Sequence, residues 1–273
     1  MSEDPDAFNA FEAAGWDKQS AGYDEFFGPI TGRVVAPLLD AAGVGAGSRV
    51  LDVASGPGYV AVHAAARGAT VIGVDVAESM IALARRLHPD LVFRRGDAQA
   101  LAFEDAAFDA VVANFLLLHL GRPERALGEL TRVLAPGGRV ALTVWDLPEH
   151  ARSVGVLVDA LAEAGAGPPP ELPVGPPIFK YADDEAFAGL LRGAGLEDVH
   201  VQTVAFLHSE ASADSLWQGL LGGTVRMSAI VVAQPQETQA RIRAAFDRIV
   251  AEYESGGRLE LPVSVKLGSG RKP

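Results

Sequence analysis

The chain has 273 residues, of which 49% are hydrophobic and 21% are charged, and it carries a formal net charge of −12 without any cysteine. This length fits one α/β domain with insertions, and the composition is that of a globular protein with an ample core. The acidic surplus argues against a nucleic-acid backbone as partner, and the lack of cysteine excludes disulfides, thiolate zinc sites and cysteine nucleophiles.

The first part of the chain is predicted to be helical and free of targeting signals. Residues 1–6 are acidic and lack the basic-then-apolar pattern of a signal peptide, and the most apolar run, 110–120, is too short to cross a bilayer. We therefore expect a cytoplasmic protein with no membrane partner. Residues 1–40 are rich in aromatic side chains, and we interpret them as an N-terminal helical lid segment.

Residues 41–150 alternate short β-rich runs with amphipathic helices, one of which covers 79–87. A second helix is predicted to begin at Pro123 and to end at Pro136-Gly137-Gly138. The predicted strands are mostly apolar on both faces, as buried parallel strands are, and lie at 50–53, 70–74, 91–93, 110–113 and 139–145. This alternation predicts an α/β fold with an open, doubly wound, Rossmann-like sheet that binds ligands at the carboxyl ends of its strands.

Residues 151–273 are predicted to complete a seven-stranded, mostly parallel sheet. Within this half, residues 166–177 are predicted to form a Pro/Gly loop. The predicted elements that follow are a helix at 183–193, a strand at 199–206, helices at 212–233 and 237–252, and a last strand at 259–267. The residues at about 207–257 are interpreted as a substrate-lid insertion.

The most informative motif runs from Val50 to Gly58, where an apolar strand leads through Asp52 into Gly56-Pro57-Gly58. Glycine lets the backbone turn tightly and approach a ligand, because no Cβ stands in the way. The stretch 56–61 also satisfies the loose Gly-x-Gly-x-x-Gly/Ala pattern of nicotinamide and flavin enzymes. The turn alone therefore leaves the ligand open.

Three further polar residues follow later strands of the predicted sheet. Asp75 ends the second strand, where a carboxylate can accept hydrogen bonds from both hydroxyls of a ribose. Asp97 follows the third strand, at the height of an adenine amino group, and the fourth strand delivers Asn114 and Phe115 to the same edge. Together they favour a nucleoside-containing ligand.

These residues resemble the class I S-adenosylmethionine-dependent methyltransferases, most closely the small-molecule enzymes of the ubiquinone/menaquinone-biosynthesis type. The resemblance covers about residues 48–146. It rests on Leu-Asp-Val-Ala-Ser-Gly-Pro-Gly at 51–58, Gly-Val-Asp at 73–75, Gly-Asp-Ala at 96–98, Phe-Asp at 108–109 and Leu-Ala-Pro-Gly-Gly at 134–138. It implies S-adenosyl-L-methionine as cofactor and a methyl transfer to a small-molecule acceptor by in-line displacement.

The resemblance also implies a cofactor-binding set, formed by Tyr23, Asp52, Ala54, Gly56, Gly58, Asp75, Val76, Met80, Asp97, Ala98 and Asn114. In this set Asp75 would hold the ribose hydroxyls, Met80 would lie on the adenine face and Asp97 would bind the adenine amino group. Tyr23 resembles the N-terminal tyrosine that closes over the cofactor in many relatives. Ala54 stands where the common pattern has glycine, although many relatives carry a small residue there.

His119 is the candidate catalytic base, because it lies just beyond the fourth strand and imidazole titrates in a suitable range. A buried, hydrogen-bonded structural histidine is the competing interpretation. A base is needed only if the acceptor must lose a proton. No cluster of residues indicates a metal.

Two other functions stay open at this stage. An NAD(P)-dependent oxidoreductase fits the glycine turn, but no tyrosine is followed by lysine four places later, as a short-chain dehydrogenase requires. A protein that binds the cofactor without methyl transfer fits the same residues. Aromatic residues in both lid segments suggest an apolar or aromatic acceptor, while the methylated atom and the oligomeric state are not encoded in any pattern we find.

Overall fold

A central β-sheet organises the protein, which a computed structural model describes over residues 4–273. Within these residues the strands are β1 (Arg49–Val53), β2 (Thr70–Asp75), β3 (Val92–Arg95), β4 (Phe108–Asn114), β5 (Leu134–Trp145), β6 (Glu197–Glu210), β7 (Glu254–Ser255) and β8 (Arg258–Arg271). Their order across the sheet is β3-β2-β1-β4-β5-β8-β6, and the two-residue β7 pairs with β8. The first five run parallel, whereas β8 pairs antiparallel with β5 and β6. The predicted mostly parallel, seven-stranded sheet is confirmed, with β7 as a small addition.

The helices lie on both sides of this sheet and beyond its edge. They are α1 (Pro5–Phe26), α2 (Gly28–Thr31), α3 (Val35–Ala41), α4 (Tyr59–Ala66), α5 (Glu78–Leu87), α6 (Pro123–Val133), α7 (Arg152–Glu163), α8 (Asp184–Gly193), α9 (Ala213–Gly223), α10 (Arg226–Val232) and α11 (Gln236–Val250). Short 3-10 turns occupy Gly32–Val34, Leu117–His119 and Ala251–Tyr253. Among the described residues no helix is both long enough and apolar enough to cross a membrane.

The central strand β4 shows why the sheet is covered on both faces. Val111 is fully buried in one cluster with Leu127 and Leu130 of α6. Its neighbour Val112 is fully buried in another cluster, which includes Leu38 of α3 and side chains of α4 and α5. Burying each such side chain contributes about 1.5–3 kcal/mol. Because successive side chains point to opposite faces, an apolar strand of this kind demands helices on both sides.

A helical cap, which we define as α1, α9, α10 and α11, packs beyond the sheet. Its helices approach closely through glycines of α1 and α9. A Cβ added to Gly22 would lie 2.2 Å from the carbonyl oxygen of Gly222, and one added to Gly219 would lie 2.1 Å from the ring of Phe26. The first three residues of the predicted N-terminal segment lie outside the described residues.

Two sequence predictions of local structure differ from the fold. The helix α6 ends at Val133 rather than at Pro136-Gly137-Gly138, which lies inside β5 because Gly137 and Gly138 exchange backbone hydrogen bonds with Lys272. The predicted helix at 212–233 is two helices, because the backbone of Thr224 is extended between α9 and α10.

Candidate functional site

The main cleft lies at the carboxyl ends of β1, β2 and β4 and spans about 870 Å³, part of which is open to solvent. Nine of the eleven predicted cofactor residues line it, namely Tyr23, Ala54, Gly56, Asp75, Val76, Met80, Asp97, Ala98 and Asn114. His119 lines it as well, whereas Asp52 and Gly58 do not. The structure therefore brings residues from five separate stretches of the chain to one place.

The glycine turn has the left-handed backbone that its sequence predicts. Gly56 and Gly58 have φ angles of 50° and 93°, and Ala54 has a φ of 58°. The alanine thus keeps the backbone conformation that glycine adopts more easily. A Cβ on Gly58 would come within 2.7 Å of the Phe93 ring, so this glycine is required for packing at the start of α4 rather than at the cleft wall.

Asp75 fixes the turn and also borders the cleft. Its Oδ2 accepts a hydrogen bond from the Gly56 N–H and its Oδ1 accepts one from the Ala77 N–H, both at 2.9 Å. Burial raises the pKa of this carboxyl, and the two backbone donors oppose that rise. Each carboxylate oxygen can accept a second hydrogen bond. Asp75 can therefore bind the backbone of the turn and, at the same time, accept hydrogen bonds from hydroxyl groups of a ligand.

Asp52 lies fully buried beneath the turn instead of at the cleft wall. Its Oδ2 accepts a hydrogen bond from the Ala61 N–H at 3.1 Å, while its Oδ1 has no partner among the described residues. Burial raises the pKa of this carboxyl from 3.8 to about 8, and the nearby charge of Asp75 adds to the rise. Asp52 therefore connects α4 to β1 through one hydrogen bond, and its Oδ1 forms none with the described residues.

The far end of the cleft carries the acceptors that a nucleoside base would need. The Oδ1 of Asp97 accepts a hydrogen bond from the Gln99 N–H at 2.8 Å. The Gln99 side chain, which the sequence analysis did not single out, has a buried Oε1 without a partner among the described residues. Met80 is 3% exposed and lines the cleft from the buried face of α5. Packing and ligand contact are therefore both compatible with its position.

The amide of Asn114 is largely engaged by the protein. Its Nδ2 donates to the carbonyl oxygen of Thr31 at 3.2 Å, and its Oδ1 accepts from the hydroxyl of Thr143 at 2.5 Å. That hydroxyl in turn accepts from the N–H of Phe115 at 3.0 Å. Asn114 lines the cleft, but its side-chain hydrogen bonds mainly connect β4 to β5 and to the N-terminal segment.

Tyr23 closes one side of the cleft from α1. Its ring stacks on Phe27 with the centroids 5.7 Å apart and meets Trp16 edge-on at 5.4 Å. Its hydroxyl donates to the Thr31 hydroxyl at 3.4 Å. Burial raises the pKa of Tyr23 to about 12, so the phenol stays protonated at neutral pH.

A second cavity, of about 570 Å³, adjoins the main cleft. Trp16, Tyr23, Phe115 and His119 line both spaces. The remaining walls come from separate parts of the chain and are mostly apolar, formed by Phe27, Thr31, Leu118, Trp145, Val154, Ile178, Phe179, Gly223, Thr224, Val225, Arg226 and Met227. The sequence predicts aromatic lid segments but not this cavity, because no short motif contains its walls.

His119 stands on the wall shared by the two spaces. Its Nδ1 lies 2.8 Å from Oε2 of Glu12, and its ring meets Trp16 edge-on at a centroid distance of 5.0 Å. Glu12 is buried on α1, which the sequence analysis missed. The spacing of Phe8, Glu12 and Trp16 by four residues places a charge on an apolar helix stripe, and this pattern could have revealed it.

Among residues 4–273 no group of three or more His, Cys, Asp or Glu side chains is arranged to hold a metal ion. The polar groups at the cleft are mostly acidic, amide and phenolic, with the imidazole of His119 and the indole of Trp16 beside them. They suit an organic ligand with hydroxyl and amino donors.

A family model described as "Methyltransferase domain" matches residues 51–142. Over this part of its length the chain therefore matches a methyltransferase domain. The match begins within β1 and ends in β5, so the methyltransferase domain includes the strand ends that form the floor of the main cleft.

Curated methyltransferases are similar to part of the chain, and solved structures share its fold. The demethylmenaquinone methyltransferase of Renibacterium salmoninarum is 40% identical over 111 residues, which are 41% of this chain and 47% of the relative. The chain thus spans about half the length of the curated relatives it matches. Similar folds occur in Haemonchus contortus phosphoethanolamine N-methyltransferase 2 (TM-score 0.59, 18% identity, 97% of this chain and 60% of that one) and in a Thermotoga maritima SAM-dependent methyltransferase (TM-score 0.54, 18% identity, 96% and 100%).

Proposed function

We propose that the chain transfers a methyl group from S-adenosylmethionine in the main cleft to a small apolar or aromatic acceptor in the second cavity. The observation that carries this proposal is the wall that the two spaces share. A donor and an acceptor bound on either side of Trp16, Tyr23, Phe115 and His119 would meet there. In-line methyl transfer requires this juxtaposition of two bound molecules.

The residues present fit the cofactor. Asp75 would accept hydrogen bonds from the ribose hydroxyls, Asp97 would accept one from the adenine amino group and Met80 would pack on the adenine ring. The unused Oε1 of Gln99, which lines the cleft, is a further buried acceptor at a site that needs acceptors. The H. contortus relative is described in complex with S-adenosylhomocysteine, which supports a cofactor of this class.

The sulfonium methyl of S-adenosylmethionine is already activated, so the protein's task is to align the reactants and exclude water. Holding two reactants in a reactive geometry can supply on the order of 7–11 kcal/mol. Here Tyr23 and Trp16 cover both spaces from α1, and the cap closes the second cavity with Arg226 and Met227. We infer that residues 1–40 and about 207–257 act as lids over the methyltransferase domain.

The acceptor is proposed from the cavity walls. Phe27, Phe115, Trp145 and Phe179 favour a flat apolar molecule, while Thr224 and other polar groups can orient one end of it. The R. salmoninarum relative is named for demethylmenaquinone, and a quinone-type ring is compatible with such walls.

Calorimetric titration with S-adenosylmethionine, S-adenosylhomocysteine and NAD tests the donor. We expect Asp75→Ala to weaken binding of both adenosyl compounds by about 1–3 kcal/mol, roughly 5- to 150-fold, because hydrogen-bonding groups lose their partner. Asp109→Ala is the matched control, since Asp109 pairs with Arg49 away from the cleft.

Two outcomes would contradict the proposal. Tight binding of NAD without binding of the adenosyl compounds would indicate an oxidoreductase. Binding of S-adenosylmethionine without transfer of an isotope-labelled methyl group to any member of an aromatic acceptor panel would favour a cofactor-binding protein that does not transfer methyl groups. Unchanged affinity in folded Asp75→Ala would remove Asp75 from the ribose site.

A further inference from the structure

A buried charged cluster joins the cap to the wall between the two spaces. Glu12 on α1 has a side chain that is 3% exposed, and its Oε2 lies 2.8 Å from Nδ1 of His119. Its other oxygen, Oε1, lies 3.8 Å from Nε of Arg226 on α10. Burying a carboxylate is costly unless it is paired, so these two contacts explain how α1 tolerates the charge.

Arg226 is held firmly enough to balance that charge. Its two terminal nitrogens donate to the carbonyl oxygens of Pro176 and Leu118, each at 2.6 Å, and its guanidinium lies 4.7 Å from the centre of the Phe8 ring. Burial lowers the pKa of Arg226, while Glu12 opposes that effect. Arginine nevertheless stays charged in proteins. The cation therefore places a positive charge beside Glu12.

An ionised carboxylate is an acceptor only, so it selects one tautomer of the histidine. In the selected tautomer the proton lies on Nδ1, 2.8 Å from Oε2 of Glu12, and the lone pair lies on Nε2. No group among residues 4–273 forms a hydrogen bond with Nε2, and the side chain keeps 25% of its surface exposed. His119 lines both spaces, so its free nitrogen stands beside the place where the reactants would meet.

We propose that Glu12 is a positioning residue that holds His119 with Nε2 as the proton acceptor, and that the acceptor molecule carries a weakly acidic hydroxyl. This inference rests on the proposed methyl transfer. In the transfer, the acceptor loses its hydroxyl proton to Nε2 and its nucleophilic atom bonds the methyl carbon. The methyl–sulfur bond breaks with its electron pair remaining on sulfur, and the products are the methylated acceptor, the thioether and protonated His119.

The tautomer can be tested without any acceptor. Two-bond proton–nitrogen NMR correlations of protein labelled with 15N-histidine distinguish the protonated from the unprotonated ring nitrogen, and His119→Gln assigns the signal. We expect a proton on Nδ1 and none on Nε2 in the neutral ring of the wild-type protein. In Glu12→Gln this preference should weaken, whereas Glu104→Gln, at an exposed position of the β3–β4 connection, should leave it unchanged. A wild-type proton on Nε2 would overturn the proposal.

Turnover provides the second test, with a panel of substituted phenols as probes. We expect His119→Gln to lower kcat by about 10²–10⁴ with cofactor affinity retained. Glu12→Gln should lower kcat by at least about tenfold, and the double variant should be no slower than His119→Gln alone, because both changes remove one function. Additive losses, or full turnover in His119→Gln, would assign the pair a structural role. If no phenol is methylated by the wild type, the proposed acceptor class fails, while the NMR result still decides the role of Glu12.

Discussion

The methyltransferase domain and the cap are held together by different physical means. Beneath the main cleft, buried carboxylates bind backbone N–H groups, as Asp52 does with Ala61 and Asp75 does with Gly56. In the cap, glycines and aromatic rings fit by shape, as Gly22 does against Gly222 and Gly219 does against Phe26. The first region therefore stores electrostatic free energy that depends on pH and ligand. The second region depends on close contact between helices, so a single added methyl group can disturb its packing.

The largest expected effect concerns the buried acid under the cleft. Because burial raises the pKa of Asp52 from 3.8 to about 8, the folded protein keeps a proton that the unfolded chain releases above about pH 4. This group therefore stabilises the fold below about pH 4, and its contribution is lost as the pH rises from about 4 to about 8. One such proton changes the unfolding free energy by at most about 1.4 kcal/mol per pH unit.

Urea unfolding of Asp52→Asn and wild type at pH 5, 6.5 and 8 measures this dependence. Asparagine keeps an acceptor for the Ala61 N–H and cannot ionise, so the free-energy difference between the variant and wild type should move in the variant's favour as the pH rises. Asp109→Asn is the control, because Arg49 lowers the pKa of Asp109 and places its effect at acidic pH. A difference for Asp52→Asn that stays constant over this range would show that the buried acid is ionised throughout.

The residues around the main cleft could be predicted from the sequence because the fold places them side by side. Asp52, Asp75, Asp97 and Asn114 each lie at or just beyond the last residues of a parallel strand, and the carboxyl ends of neighbouring parallel strands meet at one edge. Short sequence motifs are therefore enough to predict such a site. They do not show which residues contact the ligand: Asp52 and Gly58 support the turn without lining the cleft, whereas the other predicted residues line it.

The cap could not be predicted in the same way. Its cavity joins Phe179, Thr224 and Trp145, which are separated by dozens of residues and meet only through packing. Long-range pairing also explains why Pro136-Gly137-Gly138 lies in a strand, because its partner is Lys272 at the far end of the chain. The aromatic composition of residues 1–40 predicted helices that pack, but not what they pack against.

A smaller effect tests the cap's dependence on shape. Gly22→Ala should destabilise the protein by about 1–3 kcal/mol, because the new Cβ would lie 2.2 Å from the carbonyl oxygen of Gly222 and α1 must move from α9. Urea unfolding measures the loss, and limited proteolysis should show earlier cleavage within the cap. The same substitution at Gly222 is a matched control, since its Cβ would meet nothing nearer than the Gly22 Cα at 4.0 Å.

Alanine favours helix over glycine by about 1 kcal/mol, so Gly222→Ala should be neutral or stabilising. Opposite signs for the two glycines would confirm that α1 and α9 are joined by close fit. Equal effects would mean that the helices yield to an added methyl group, and the contrast between the cap and the methyltransferase domain would then be weaker than the structure indicates.

The smallest expected effect returns to the turn at the floor of the cleft. Ala54 adopts a φ of 58°, which costs a residue with a Cβ roughly 1 kcal/mol and costs glycine little. Ala54→Gly should relieve that strain but also give the unfolded chain more freedom, so the net gain in unfolding free energy should stay below about 1 kcal/mol. Ala106→Gly is the matched control, because Ala106 has a φ of 57° in the loop between β3 and β4, outside the cleft. Both variants should shift stability alike in thermal unfolding, while only Ala54→Gly should change the affinity for S-adenosylmethionine. A change in affinity with Ala106→Gly, or none with Ala54→Gly, would separate the conformation of the turn from the binding of the cofactor.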